Sequence, residues 1–266
     1  MNSFLGAKAI ILASVFMVLF AAETLFPKVR RRLASKRYIS NLGLWVMTVP
    51  VSAFIVLPLT LFASKIAVWT QPVLIDPVLS LFVNLILLDL FLYWSHRAFH
   101  EIDFLWRFHK VHHLDETLDT TSAVRFHVAE VILSACLRAG FVFALAVPFS
   151  TVVVFEILVL ASALFQHSNL RLPGHFEEGL RKLVVTPSHH WVHHHPGPDL
   201  QTHYGSILTV WDRAFRTWSP TRRDEAMVIG LANRRDLSFK GLLLAPFRPA
   251  DYVHPEDIEE QGFGYH

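Results

Sequence analysis

The chain has 266 residues, of which 53% are hydrophobic and only 17% are charged. This composition is too apolar for an ordinary soluble domain and predicts a protein embedded in a membrane. The net charge of +2 gives no indication of a nucleic-acid partner, and the single cysteine, Cys136, excludes a disulfide framework and any cysteine-based zinc or iron–sulfur site.

Three apolar segments in the first part of the chain are long enough to cross a bilayer, which takes about 20 residues of helix. They are residues 9–26, 41–63 and 77–95. A cleaved signal peptide is the alternative for the first segment, but the basic residues follow the apolar run and no small-residue cleavage site is evident. We therefore predict three spans, the second of which tolerates Pro50 and Pro58.

The loop after the first span orients the chain. Its basic residues are Lys28, Arg30, Arg31, Arg32, Lys36 and Arg37. By the positive-inside rule this loop lies in the cytosol. Residues 128–166 are again mostly apolar and break near Pro148–Ser150, which predicts a hairpin of two helices. Glu130 and Arg138 leave open whether its first arm crosses the membrane or re-enters it. With this topology the histidines all meet at one membrane face.

Histidine is unusually common, with 16 residues, and none of them precedes His96. Three motifs space histidines three or four positions apart, the spacings from which one helix can direct two side chains at one metal ion. They are "HRAFH" with His96 and His100, "HKVHH" with His109, His112 and His113, and "HWVHH" with His190, His193 and His194. A single HxxxH is often coincidental, but three such motifs at one membrane face predict a metal site.

The number of histidines favours two metal ions, because eight or more imidazoles exceed the four ligands of a structural zinc. Imidazole nitrogen suits zinc, copper, iron and nickel, so the residues leave the metal open. A transporter would place histidines near the middle of several spans, and a b-type cytochrome needs axial pairs within spans. Neither pattern is present. A non-catalytic or transport-type metal-binding membrane protein is the alternative, and none of the motifs is broken as a non-catalytic relative would require.

Together these motifs resemble the fatty acid hydroxylase/sterol desaturase superfamily. The resemblance spans roughly residues 80–220 and includes "RFH" at 125–127, "TPSHHWVHH" at 186–194, "FQHSNLRLP", and "YGSILTVWDRAF" at 204–215. It implies two iron ions that activate O₂ to attack an unactivated C–H bond of a lipid, by hydroxylation, desaturation or ether-lipid cleavage. The metal ligands that it implies are His96, His100, His109, His112, His113, His167, His190, His193 and His194.

Further histidines are candidates for an additional ligand or an outer contact of the metal site. They are His127 in "RFH", His189 beside His190, and His203. The chain also departs from the family pattern at Val128, where proline is expected, at His203, where asparagine is usual, and at Arg216, where glycine is usual. These departures bear on the substrate or on an extra ligand more than on the chemistry.

An oxygenase of this kind needs electrons, and the sequence has no dinucleotide fingerprint, haem attachment motif or cysteine cluster. We expect a separate donor, a ferredoxin or cytochrome b5-type protein with its reductase, and a lipid substrate that enters from the bilayer. Zinc can occupy such a site in purified material. The catalytic face is expected in the cytosol, on a bacterial plasma membrane or the endoplasmic reticulum.

Two carboxylates lie within predicted membrane helices. Asp89 precedes His100 by eleven residues, and Glu156 precedes His167 by the same interval. A carboxylate at a helix centre in lipid costs roughly 2.5–3.5 kcal/mol, so both should face the protein interior. Eleven residues of helix span about 16 Å, too far for a bond within one helix. We expect these carboxylates to bond histidines or backbone of neighbouring helices, or to line a lipid tunnel; a bond that serves packing alone is the alternative.

The predicted fold is all-α, a polytopic membrane helical bundle with a histidine-rich helical cap on the cytosolic face. Three parts are expected. Residues 1–76 form N-terminal transmembrane helices, residues 77–220 form the catalytic domain with the third span, the histidine motifs and the hairpin, and residues 221–266 form a cytosolic tail.

Overall fold

The computed structural model describes residues 2–30, 35–71 and 76–248. Arg31 and Arg32 of the basic loop, and residues 249–266 of the predicted tail, lie outside the described residues. The longer helices are α1 (Asn2–Leu25), α2 (Ser35–Val51), α3 (Leu57–Lys65), α4 (Pro77–Glu101), α5 (Asp103–His113), α6 (Val128–Leu145) and α7 (Phe149–His167). The shorter ones are α8 (Gly174–Leu180), α9 (Pro187–His193), α10 (Val210–Ala214) and α11 (Phe239–Leu244).

Among the described residues, five helical segments are long and apolar enough to cross a membrane. They are α1, α2 with α3, α4, α6 and α7. Their outward-facing side chains are apolar, as in α1, where Ile10, Met17 and Leu25 are 70%, 63% and 72% exposed. Such exposure is expected of side chains that contact lipid. The predicted all-α membrane bundle is therefore confirmed, and α6 has the length and composition of a full span.

The second span runs through α2 and α3 without a break. A π-helical segment, Ser52–Val56, lies between its two prolines. Proline has no N–H and leaves a backbone carbonyl of the preceding turn without its usual donor. A local widening of the helix is one of the ways in which membrane helices accommodate that loss.

The remaining chain covers one end of this bundle, and we call residues 102–127 and 168–248 the cap. Within the described residues the cap has no β-sheet, only two isolated bridges, Pro27 with Leu170 and Val184 with Leu208. Its last described part packs back onto α2 and α5. The buried contact there is made by Leu44, Val111, Leu114, Leu242 and Ala245.

Buried ion pairs and hydrogen bonds join the cap to the membrane helices. Arg37, at the start of α2, donates from Nε and Nη2 to the two oxygens of Asp115 at 2.6 and 2.9 Å, and from Nη1 to Asp119 at 2.5 Å. On α1, the buried carboxylate of Glu23 accepts the backbone N–H groups of Thr120 and Asn169. The segments that directly follow α5 and α7 are therefore bonded to the first two spans.

Candidate metal centre

The nine histidines with implied ligand roles fall into two groups in the structure. The five-histidine group consists of His96, His100, His109, His113 and His193, and the four-histidine group consists of His112, His167, His190 and His194. Within each group the nearest ring nitrogens lie within 4.8 Å of one another. The groups lie at the end of the bundle where α4 and α7 finish, because His96 and His100 belong to the last turns of α4 and His167 is the last residue of α7.

The spacing within each HxxHH motif explains how two groups arise. On α5, His109 and His113 are four apart and share one helix face, and both join the five-histidine group, while His112 joins the other. In the motif of α9, whose last histidine directly follows the helix, the division is reversed, because His190 and His194 join the four-histidine group and His193 joins the five. Each adjacent histidine pair therefore straddles the two groups.

Five of these rings have their proton position determined by an oxygen acceptor, because a carbonyl or carboxylate oxygen accepts and the ring nitrogen must donate. The Nδ1–H groups of His96, His193, His167 and His112 donate to the backbone oxygens of Tyr204 (2.9 Å), Thr202 (2.7 Å), Ala163 (2.7 Å) and Arg125 (3.3 Å), and that of His109 donates to Glu130 Oε1 (2.6 Å). In the neutral form of such a ring, Nε2 carries a lone pair.

Two of these lone pairs, on His112 and His167, face each other. The Nε2 atom of His167 lies 2.9 Å from Nε2 of His112 and 2.9 Å from Nε2 of His190. His112 and His167 both present lone pairs, so this contact is repulsive unless a cation lies between the rings. The short contact is what a shared metal ion would require.

Burial adds to this fit. Nε2 of His193, whose Nδ1 already donates to Thr202, and both ring nitrogens of His100 are buried without a hydrogen-bond partner among the described residues. A buried polar atom without a partner costs about 1–3 kcal/mol. Burial, and next the neighbouring histidines, hold the pKa values of His112, His113, His190, His193 and His194 well below the usual value. The rings are neutral, which is the form that binds metal.

The donor set therefore fits two metal ions, one in each group. Neutral imidazoles suit iron, zinc, copper and nickel alike. The residues and their protonation fit the group that the resemblance implies.

His127 has a different role in the structure, outside both groups. Its Nδ1 accepts the N–H of Ala129 at 3.1 Å and caps the start of α6, and its Nε2 donates to the oxygen of Leu243 at 3.2 Å. Both ring nitrogens are engaged, so we do not include His127 among the proposed ligands.

His189 and His203 form a third buried group together with Asp212. The proton position differs here, because His203 Nε2 accepts the N–H of Ser219 at 3.2 Å and the proton therefore lies on Nδ1, the nitrogen that would face a metal. Burial lowers the pKa values of His189 and His203 to about 3, so both rings are neutral. We interpret this group as an internal polar cluster.

His203 has a φ of 58°, a left-handed conformation in which asparagine is more favourable than most residues.

The two carboxylates inside the membrane bond partners on neighbouring elements and no histidine. Asp89 Oδ2 accepts from the N–H of Leu208 at 3.2 Å and from Nε1 of Trp211 at 2.8 Å. Glu156 pairs with Lys8 on α1 at 2.5 Å and with Arg138 on α6 at 3.0 Å.

Sequence reasoning missed the role of Glu130, which orients His109. Glu130 is buried in the first turn of α6, and a metal-bound histidine usually donates its second N–H to such a carboxylate. The signal was present, because an acidic residue at the end of a membrane helix requires a partner just as Asp89 does.

Comparisons with known proteins identify the family of the chain. A sequence model of the fatty acid hydroxylase family matches residues 81–217, slightly more than half of the chain. Alkylglycerol monooxygenase from Danio rerio is 33% identical over 150 residues, which are 54% of this chain and 31% of that protein. Ornithine lipid hydroxylase OlsE from Rhizobium tropici is 27% identical over 167 residues, 62% of this chain and 49% of that protein.

Alkylglycerol monooxygenase from Caenorhabditis elegans is 30% identical over 152 residues, or 56% of this chain and 28% of that protein. The matched part of the chain thus spans about half or less of each of these relatives. No solved structure matches the chain. The family match extends from the third span through all the histidine motifs, and the chain belongs to the fatty acid hydroxylase family.

Proposed function

We propose that the protein is a membrane-bound, O₂-dependent hydroxylase that acts on a C–H bond of a lipid through two iron ions. The observation that carries the proposal is the packing of nine histidines into two adjoining groups, in one of which the lone pairs of His112 and His167 face each other at 2.9 Å. Family membership supports iron and lipid chemistry. The names of the relatives, a monooxygenase and a lipid hydroxylase, favour hydroxylation over desaturation.

In this proposal the five-histidine group holds one ion and the four-histidine group holds the other. When bound, the two iron ions supply the redox chemistry for O₂ activation. The protein orients the imidazoles through their Nδ1–H bonds, as with His109 and Glu130. It also excludes water, since His100, His113, His193 and His194 are each fully buried. A dry site strengthens electrostatic interactions with the reacting groups and prevents side reactions.

The substrate is proposed to be a lipid of the surrounding bilayer, with a fatty acyl, sterol or related isoprenoid chain. The two groups lie where α4 and α7 end, so a lipid chain beside these helices is near the proposed ions without leaving the membrane. By the positive-inside rule, the basic loop supports a cytosolic position for this end. Hydroxylation puts one oxygen atom into the product and releases the other as water, which consumes two electrons and two protons. We propose a ferredoxin or cytochrome b5-type protein with its reductase as the electron source.

Reconstitution tests the proposed function. The purified, iron-loaded protein with membrane lipids and NADPH alone is expected to be inactive, and adding a reductase and an electron carrier should give a lipid product heavier by one oxygen atom. Mass spectrometry of the lipids measures the result, with the His193→Ala variant as the negative control. A product lighter by two hydrogens would identify a desaturase instead. Metal-loaded protein without any product in the complete system would favour the non-catalytic, metal-binding alternative.

The carboxylate of Asp89 is expected to serve packing alone. Asp89→Asn keeps an oxygen that can accept from Leu208 and Trp211, and its new NH₂ group takes the place of Oδ1, which has no partner among the described residues. Metal content and turnover should therefore stay within about twofold of the unmodified protein, since changes that keep the existing hydrogen bonds have small effects. Loss of turnover with both metal ions retained would show that the charge itself takes part in the reaction.

A further inference from the structure

One short turn orients two rings of the five-histidine group. This turn, residues 202–205 with the sequence "THYG", presents the backbone oxygen of Thr202 to Nδ1 of His193 at 2.7 Å and that of Tyr204 to Nδ1 of His96 at 2.9 Å. The two rings come from different helices, α9 and α4. The direction of two carbonyl groups therefore decides where both Nε2 lone pairs point.

The direction of the Tyr204 carbonyl is coupled to Asp212. The Tyr204 oxygen and the Gly205 N–H belong to the same planar trans peptide and point in opposite directions. The Gly205 N–H donates to Asp212 Oδ2 at 3.1 Å, and the preceding Tyr204 N–H donates to Asp212 Oδ1 at 2.8 Å. Because this carboxylate holds the peptide from one side, the carbonyl on the other side faces His96.

The direction of the Thr202 carbonyl also depends on Asp212, through hydrogen bonds of Thr217. Its peptide partner, the His203 N–H, donates to the oxygen of Thr217 at 2.8 Å. Thr217 in turn donates its N–H to the backbone oxygen of Asp212 at 2.8 Å and its hydroxyl to Asp212 Oδ1 at 2.8 Å. Asp212 is completely buried, so water does not replace these bonds.

We propose that Asp212 is a positioning residue for the five-histidine group, which acts on His96 and His193 through the peptides of the 202–205 turn. This inference rests on the proposed function, because it presumes that the five-histidine group binds one of two metal ions. The inference also gives a role to the third buried group. Its carboxylate, Asp212, lies 3.5 Å from His189 and bonds the backbone of the turn that orients His96 and His193.

The test is the metal content of Asp212→Asn. An asparagine has one acceptor oxygen, so its NH₂ group must face either the Gly205 N–H or the donors of Tyr204 and Thr217. The hydrogen bonds on that side of the residue are lost. Loss of such outer contacts typically weakens metal binding about 10–100-fold. After chelator treatment, the variant is expected to keep one metal ion per chain where the unmodified protein keeps two, as measured by elemental mass spectrometry.

Double variants identify the group that loses its ion. His193→Ala removes a ligand of the five-histidine group, so Asp212→Asn in that background should remove no further ion. In a His112→Ala background, where the four-histidine group is broken, Asp212→Asn should remove the remaining ion. The reverse pattern would overturn the proposal, because it would place the effect of Asp212 in the wrong group.

A second variant disturbs the same contact without changing the carboxylate. A Cβ atom on Gly205 would lie 2.7 Å from Asp212 Oδ2 and 2.8 Å from the backbone oxygen of Leu208, so Gly205→Ala must shift the turn. It should cause the same loss of one ion even where Asp212→Asn fails to fold. The matched control is Asp199→Asn, whose carboxylate accepts the hydroxyls of Ser219 and Thr221 in the same part of the cap and should leave both ions bound.

The outcomes separate the two proposals. An unmodified protein with fewer than two ions contradicts the two-ion centre itself. Two ions in the unmodified protein and two equally chelator-resistant ions in Asp212→Asn overturn only the positioning role. Loss of both ions together with the folded state in Asp212→Asn and Gly205→Ala also overturns it, since Asp212 would then serve folding alone.

Discussion

Replacing His193 or His112 by alanine is expected to abolish lipid oxidation while the protein stays folded in the membrane. Each substitution removes one imidazole from a different group, His193 from the five-histidine group and His112 from the four-histidine group. Each variant should bind about one metal ion where the unmodified protein binds two. Turnover should fall below detection, a loss of at least about a thousandfold, because groups that act as a unit fail together.

The matched control for this pair is His195→Ala. His195 directly follows His194 but belongs to neither group, and its Nδ1 donates to the backbone oxygen of Val228 at 2.9 Å. Both ions and most of the turnover should remain. Turnover of His112→Ala or His193→Ala near that of the control would remove the tested residue from the ligand assignment.

Arg37→Met is expected to lower the free energy of unfolding more than any other substitution proposed for this protein. The substitution removes the guanidinium that pairs with the buried carboxylates of Asp115 and Asp119, and breaking a buried pair in this way costs about 3–5 kcal/mol. For a chain of this size the melting temperature should fall by about 6–20 °C. Thermal unfolding in detergent, followed by tryptophan fluorescence, measures the change.

A surface ion pair provides the control for Arg37. Arg235 lies 3.6 Å from Glu116, and its side chain is 93% exposed. Exposed pairs contribute about 0–1 kcal/mol, so Arg235→Met should hardly change the melting temperature. Equal melting temperatures for the two variants would contradict a structural role for the buried pair.

The same network predicts how stability depends on pH. Burial alone would raise the pKa of Asp115, but the charges of Arg37 and Arg125 hold it well below its usual range. A carboxyl group with a depressed pKa in the folded state stabilises the protein above its unfolded pKa of about 4, and this contribution is lost as the pH falls further. The destabilisation by Arg37→Met should therefore be undiminished between about pH 5 and 8 and should shrink in stronger acid.

The amino-acid sequence by itself determined the helical spans and the identity of the clustered histidines. Both depend on local properties of the chain. An apolar segment in a bilayer must satisfy its own backbone hydrogen bonds, which favours a helix whatever surrounds it. The helical period then brings His109 and His113, or His190 and His194, to one face without any information about the rest of the fold.

Only the tertiary structure decided which histidine belongs to which group and what orients it. His112 meets His167, which is 55 residues away, and His96 donates to a carbonyl 108 residues away. Such contacts depend on how α4, α5, α7 and α9 pack, and no periodicity in the sequence encodes them. The distinction between His127, which caps a helix, and His112, which faces the proposed ion, has the same cause. Ring protons follow the nearest oxygen acceptor, and for His96, His112, His167 and His193 that acceptor is a backbone carbonyl, which any residue type can provide.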